Sequence, residues 1–205
     1  MPGCENFKRS GAEPLLTFCQ SASRALLTPP ASKPGPAPFM LDLFSGLGGA
    51  SQAMVDRGWR VVRVDINPDL NPDIVADIRT WSWRGERPDL LWASPPCTEF
   101  SKLSMPWYEK FEPDLSCALA TKRIIEETQP LFWIVENVRG AVPYFNRIFG
   151  PVKKRVGSRY LWGRFPPFDC PHVYGKWRLP PSPMRPLLRS KIPYVLSLAV
   201  ARAVE

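Results

Sequence analysis

The chain has 205 residues, 44% of them hydrophobic and 22% charged, which suits one domain with a real core and excludes a wholly disordered polymer. No apolar run approaches the ~20 residues that span a bilayer, and the first ten residues lack the basic-then-apolar order of a secretory signal, so no membrane association is expected. Lysine and arginine outnumber aspartate and glutamate by 27 to 19, a net +8, and that surplus favours a polyanionic partner, nucleic acid first.

Residues 1–38 hold seven of the 25 prolines and show no apolar period. They read as a disordered tail, either an accessory arm or, the preferred reading, a stretch upstream of a true start at Met40. Phe39–Ser45 is a short apolar run of strand character, closed by Gly46, Gly48 and Gly49. A helix is expected from about Ala50 to Arg57, with Gly58 as its C′ residue. Trp59–Asn67 reads as a second strand, Ile74–Ile78 as a short third and Asp89–Ser94 as a fourth. Residues 113–128 predict a helix opening with Pro113, and Leu131–Asn137 a fifth strand. Strands alternating with helices predict an α/β fold with a mostly parallel, doubly wound sheet. The unbroken apolar character of strands one, four and five fits a sheet covered on both faces. The main domain is therefore placed at residues 39–150. Residues 151–191 differ in kind, with ten Lys/Arg against one acid, Asp169, and with eight prolines and six aromatics interleaved. Residues 192–205 read as a closing helix that packs back on the main domain, with Pro193 in its first turn and an apolar face of Leu196, Val200 and Val204.

Cys4, Cys19, Cys97, Cys117 and Cys170 are scattered, odd in number and without a CxxC pair. Neither a disulfide framework nor a metal site is expected, and a reducing cytoplasm is the expected compartment. The single histidine, His172, even beside Cys170, is too little for a metal site or a Ser–His–Asp triad.

Three motifs carry chemistry. Phe44-Ser45-Gly46-Leu47-Gly48-Gly49 joins a strand to a helix, where glycine lets a ligand approach the backbone and a helix start offers free N–H groups. Asp65 ends the second strand 19 residues after Gly46, the offset of a ribose-binding acid. No Walker lysine follows the turn, so an adenosyl compound or dinucleotide is expected rather than a triphosphate. Ser94-Pro95-Pro96-Cys97 ends a central strand, where open α/β sheets bind ligands. The prolines fix the approach to Cys97 and keep a helix from starting there. A nucleophilic Cys97 must be a thiolate and so needs a positive or N–H-rich setting. Glu136-Asn137-Val138 end a buried strand, a costly place for an acid without a partner or a task. In the strand order 3-2-1-4-5 the glycine turn, Cys97 and Glu136 converge on one crevice. The other four cysteines read as small core residues, and Trp81, Trp83, Trp92 and Trp133 as packing.

In this order and near these spacings, DLFSGLGG, PPC and ENV resemble the cytosine-5 DNA methyltransferase family, from about Met40 to Glu205. The resemblance implies a Rossmann-like S-adenosylmethionine-dependent methyltransferase fold, S-adenosyl-L-methionine as cofactor and double-stranded DNA as partner. It sets Phe44, Ser45, Gly46, Gly48, Gly49 and Ile66 against the cofactor, Asp65 at its ribose hydroxyls, Asp77 and Ile78 beside its adenine, and Pro96 beside the cofactor and the target base. Cys97 becomes the nucleophile on a flipped-out cytosine, Glu136 the acid that grips it and Arg159 a contact at the base. Asn137, Val138, Lys153, Lys154 and Arg155 fall on the substrate side, with the basic stretch holding phosphates. Lys153-Lys154-Arg155 and Arg159-Tyr160 look like a degraded copy of the family's arginine motif, its arginines four apart here instead of two. Thr98-Glu99 follow Cys97 where the family commonly has a glutamine. Ile192-Pro193 stand near the place of a usual asparagine, and residues 151–191 make a much reduced recognition region. Loose specificity, a protein partner supplying recognition, a short target site and a compact phage-type origin are all compatible with that. Trp107 and Tyr108 read as loop packing or as cover for the flipped base. RNA or a free cytosine nucleotide as substrate, and a non-catalytic DNA- or cofactor-binding subunit, stand as alternatives. A monomer is expected, in the cytoplasm of a bacterial, archaeal or phage-infected cell.

Overall fold

A computed structural model describes residues 35–103, 105–109, 111–171 and 181–205. The tail up to residue 34, with Cys4 and Cys19, and His172 lie outside the described residues. Seven strands form one sheet: β1 Phe39–Leu43, β2 Arg60–Asp65, β3 Ile74–Val75, β4 Leu90–Ala93, β5 Phe132–Asn137, β6 Lys154–Val156 and β7 Arg159–Arg164, in the order β3-β2-β1-β4-β5-β7-β6. The five strands on the β3 side run parallel, and β7 and β6 close the other edge as an antiparallel hairpin. The expected 3-2-1-4-5 order is present. The boundary placed at residue 150 is not a boundary of the sheet, because β7 pairs with β5 from Trp133–Arg164 to Asn137–Tyr160. Basic residues at both ends of β7, Arg159 and Arg164, hide its apolar middle, Leu161 and Trp162, which are fully buried.

Every residue of β1 and β4 is buried, so helices must cover both faces. On one face α1 (Gln52–Asp56) and α6 (Tyr194–Val204) pack over Met40, Trp92, Ile134 and Leu161. On the other, α3 (Ser116–Thr128) lies against Leu41, Leu43 and Leu91, while Phe145 of α4 (Val142–Phe149) lies against Val135 and Trp162. Among the described residues there are two further short α-helices, α2 (Thr98–Leu103) and α5 (Arg185–Ser190). Among the described residues no helix is long and apolar enough to cross a membrane.

Local chemistry explains several boundaries. Gly58, at φ +82, closes α1 as expected, its N–H donating to Val55 O at 3.0 Å. The helix expected from Pro113 starts at Ser116, whose N–H and hydroxyl both donate to Asp114. Pro193 stands at the N-cap of α6, just outside its first turn. Ser197 binds α6 to α1, donating to Ala50 O at 2.6 Å and accepting from Ala53 N–H at 3.1 Å. The sheet also uses residues ahead of Met40: the Phe39 N–H donates to Asp89 Oδ2 and Pro38 O accepts from Arg60 N–H. A start at Met40 would remove both ties.

Gly163 lets β7 close on β5. It sits at φ +143, and a Cβ there would lie 2.0 Å from Trp133 O. Gly163→Ala is expected to lower the unfolding free energy by about 2–4 kcal/mol, read from the midpoint of denaturant unfolding.

Candidate active site

The turn after β1 bends sharply. Phe44, Gly46 and Gly48 take φ of +55, +52 and +67, a region glycine enters freely and phenylalanine at a cost of about 1–3 kcal/mol. The Gly46 N–H donates to Asp65 Oδ2 at 2.8 Å, and Asp65 Oδ1 accepts from Asn67 N–H at 3.0 Å. The two residues picked out by their spacing are thus in contact, and each carboxylate oxygen keeps a lone pair for a further donor. Space beyond Gly46 is open, with nothing within 4 Å of where a Cβ would stand. The hydroxyl of Ser45 is buried without a partner. Gly49 lies under the chain entering α6, since a Cβ there would come 2.5 Å from Ile192 O. Ile66, at 61% exposure, stands out from the crevice rim. Asp77 is paired to Arg79, whose hydrogen bond holds its carboxyl below the usual range. The Ile78 side chain belongs to the core, and its carbonyl accepts from Arg123.

Sequence reasoning passed over Asp42. It lies mid-β1, buried, with Oδ2 unpartnered. Burial pushes its carboxyl up to about 7, against a hydrogen bond from Ser51 and the charge of Arg63. The available signal was a lone acid inside the apolar run FMLDLF.

Pro95, Pro96 and Cys97 lie outside any helix, and α2 begins directly after them at Thr98. The Ser101 N–H donates back to Cys97 O at 2.8 Å. The thiol's surroundings also differ from the expected positive setting. Burial first, then the carboxylate of Glu136, push the Cys97 thiol up; a hydrogen bond with Ser101 and the charge of Arg159 only partly oppose them. Glu136, buried at the end of β5, accepts from Arg159 Nη1 at 3.1 Å, while Arg159 Nη2 donates to Lys191 O at 2.8 Å. Burial raises the Glu136 carboxyl, and Arg159 and the Ser94 hydroxyl pull it down.

Cys97, Glu136 and Arg159 therefore act on one another electrostatically, beside a glycine turn roofed by Ile192. The other residues set on the substrate side are engaged within the protein. Asn137 donates to Pro95 O at 3.0 Å and accepts from Val138 N–H at 2.9 Å, tying the end of β5 to the loop that carries Cys97. Lys153 lies over Phe165, Lys154 over Phe168 and Arg155 over Tyr160. Trp107 is 76% exposed, so packing within its loop does not account for it. A cavity of about 280 Å³ runs from Pro95 and Pro96 beneath α2 to Cys117 and Phe145. Among the described residues no cluster of His, Cys, Asp or Glu could hold a metal ion.

A family model described as C-5 cytosine-specific DNA methylase matches residues 39–149. A probable DNA (cytosine-5)-methyltransferase of Frog virus 3 is 42% identical over 66 residues, 31% of either chain, so the match spans about a third of that relative. Among solved structures, the Entamoeba histolytica methyltransferase EhMeth is 16% identical over 66% of this chain and 55% of its own, with a TM-score of 0.49. The S. pombe Dnmt2 methyltransferase is 18% identical over 69% of this chain and 52% of its own, with a TM-score of 0.41.

Two outcomes follow from the buried acids. The folded Asp42 carboxyl holds its proton to a higher pH than the unfolded one. The stability it lends is complete below 3.8 and is lost as pH rises through about 7. Asp42→Asn should therefore stabilise the fold at pH 8 relative to pH 5 by about 2–4 kcal/mol, read by denaturant unfolding at both values. Glu136 as an anion disfavours the thiolate. Glu136→Gln should lower the apparent pKa of Cys97 and speed its alkylation by iodoacetamide at pH 8, followed on the Cys97 peptide by mass spectrometry.

Proposed function

The chain belongs to the C-5 cytosine-specific DNA methylase family, and from that we propose that it transfers a methyl group from S-adenosyl-L-methionine to C5 of cytosine in DNA, through a transient bond between Cys97 Sγ and C6 of a flipped-out base. The observation that carries this reading is the meeting of Cys97, past the carboxyl end of β4, and Glu136, at that of β5, with Arg159 at the start of β7, beside a turn whose Gly46 is held by Asp65.

The turn fits an adenosyl cofactor. Asp65 has acceptor capacity left for ribose hydroxyls, the space past Gly46 is open and the Ser45 hydroxyl lacks a partner. When bound, the cofactor supplies an electrophilic methyl group to C5. The chain's own residues make C5 reactive. Cytosine C5 is a poor nucleophile, and inside a stacked duplex no side chain reaches C6, so the base has to leave the stack. The Cys97 thiolate adds to C6, the electron pair of the C5=C6 bond shifts into the ring, and Glu136 delivers its proton to N3, leaving a neutral enamine with a nucleophilic C5. After methylation the C5 proton departs to a base, the C6–S bond breaks and the C5=C6 bond reforms, returning Cys97 as a thiolate, and N3 gives its proton back to the Glu136 carboxylate. Arg159 holds Glu136 in place through Oε1, and Asn137 fixes the Cys97 loop against the end of β5. The net charge of +8 draws the enzyme to a polyanion.

With labelled cofactor and unmethylated duplex DNA, the label is expected in 5-methylcytosine on mass spectrometry of the nucleosides. DNA carrying 5-fluorocytosine should form a complex with the chain that survives SDS. Cys97→Ala should abolish both and keep duplex binding, and Glu136→Gln should slow methyl transfer by about 10²–10⁴. Label in an N-methylated base, or product formed by the Cys97→Ala variant, would overturn the reading.

A further inference from the structure

Behind Glu136 stands a polar chain that packing alone does not call for. The indole of Trp92, fully buried in β4, donates its N–H to Ser94 Oγ at 3.0 Å. The Ser94 hydroxyl in turn faces Glu136, one residue past the Ala93–Val135 pair in the β4–β5 register, and pulls its carboxyl down as a hydrogen-bond donor. Trp92 and Ser94 are two residues apart, and Ala93 pairs with Val135, so all three side chains share the sheet face covered by α1 and α6.

The direction of these bonds is fixed by what each group can do. An indole N–H only donates. Ser94 Oγ is therefore the acceptor of the first bond, and its own proton is left for Glu136. Arg159, also a donor only, occupies Oε1 of the same carboxyl. Both protein neighbours of the carboxyl thus present protons to it, and neither accepts one. When Glu136 takes up a proton, the donors already facing it from Arg159 and Ser94 favour placing that proton on the open side, toward the crevice. The Trp92 N–H occupies one of the two lone pairs of Ser94 Oγ, which makes the hydroxyl a poorer acceptor for the acid proton than it would be without the indole.

We propose that Trp92 and Ser94 are positioning residues for Glu136: the indole commits the serine hydroxyl as a donor, and the hydroxyl orients the carboxyl so that its acid proton faces the target base. The proposal rests on the reading of Glu136 as the acid that serves cytosine N3. The charged and titratable groups acting on Glu136 besides Ser94 are Arg159 from β7 and the Cys97 thiol from the loop after β4.

Ser94→Ala removes a donor to the carboxylate. Its Glu136 should titrate higher than wild type by about one pH unit, followed by NMR of 13C-labelled glutamate with Glu136→Gln assigning the signal. Its kcat for methyl transfer should fall about tenfold with the KM for DNA changed less than about twofold, and the alkaline limb of its pH profile should move up with the titration. Ser94→Thr, which keeps the hydroxyl, should restore both. Trp92→Phe, which keeps an aromatic ring but deletes the N–H, should shift the carboxyl in the same direction. Thermal melts of each variant separate these effects from loss of fold. A Ser94→Ala protein that titrates and turns over like wild type would overturn the proposal, as would a Ser94→Thr protein that behaves like Ser94→Ala. If wild type makes no 5-methylcytosine but Ser94→Ala still shifts the carboxyl, the hold on Glu136 stands and the substrate reading falls.

Discussion

A carboxylate can end a buried strand only where a cation or several N–H donors meet it, and at Glu136 the cation is Arg159. Much of the architecture follows from that pair. Arg159 opens β7, so the hairpin has to return antiparallel beside β5 to bring the guanidinium to the strand end. Its second arm holds Lys191 O, which draws the chain ahead of α6 across the glycine turn, where Ile192 covers Gly49. From there α6 continues along α1, and Ser197 ties the two helices together. One ion pair thus joins the sheet edge, the strand end and the closing segment. Deleting the arginine alone would leave an uncompensated buried charge, a loss of about 3–5 kcal/mol.

The same burial governs the chemistry. Both Cys97 and Glu136 are pushed toward their neutral forms, and each charge disfavours the other. The proposed reaction needs the sulfur bare and the carboxyl protonated. That arrangement differs from one with a thiol and a carboxylate only by the place of a single proton, so the two groups titrate as a pair rather than singly. Arg159 acts on both, favouring the anion at either site, and so steadies whichever group carries the charge. The free crevice keeps a weakly reactive thiol, and removing the negative charge on Glu136, by a proton or by substitution, relieves the sulfur.

Legibility in the sequence followed burial. The apolar runs of β1, β4 and β5 announce themselves because both of their faces are covered, and their parallel order brings Cys97 and Glu136 together by topology alone. The contact between Gly46 and Asp65 was readable as a spacing. The short helices α2 and α4 were not anticipated. A six-residue helix behind two prolines carries almost no period, and α4 follows directly from a turn of 3₁₀ type at Arg139–Ala141. Arg159 was reachable only through resemblance, since an arginine in a basic stretch has no local mark of its partner. Ser94 and Asp42 were overlooked for opposite reasons: a serine before two prolines looks like turn chemistry, whereas an acid inside FMLDLF is conspicuous and was absorbed into the strand.

The basic surplus has a reading in the fold as well as in a partner. β6 is the edge strand of the sheet, and edge strands carry lysine and arginine as protection against pairing with another chain. Lys154 and Arg155 stand on that edge and rest on Phe168 and Tyr160, and Lys153 beside it rests on Phe165. Such stacking covers one side of each cation and leaves its remaining N–H donors pointing outward. The same side chains can therefore guard the edge and meet phosphates. What distinguishes them is distance from the chemistry: Arg159 lies on the strand next to the edge, one β-strand spacing of about 4.8 Å inward, and it alone of the hairpin's cations is shown bonded to the acid at the centre of the site.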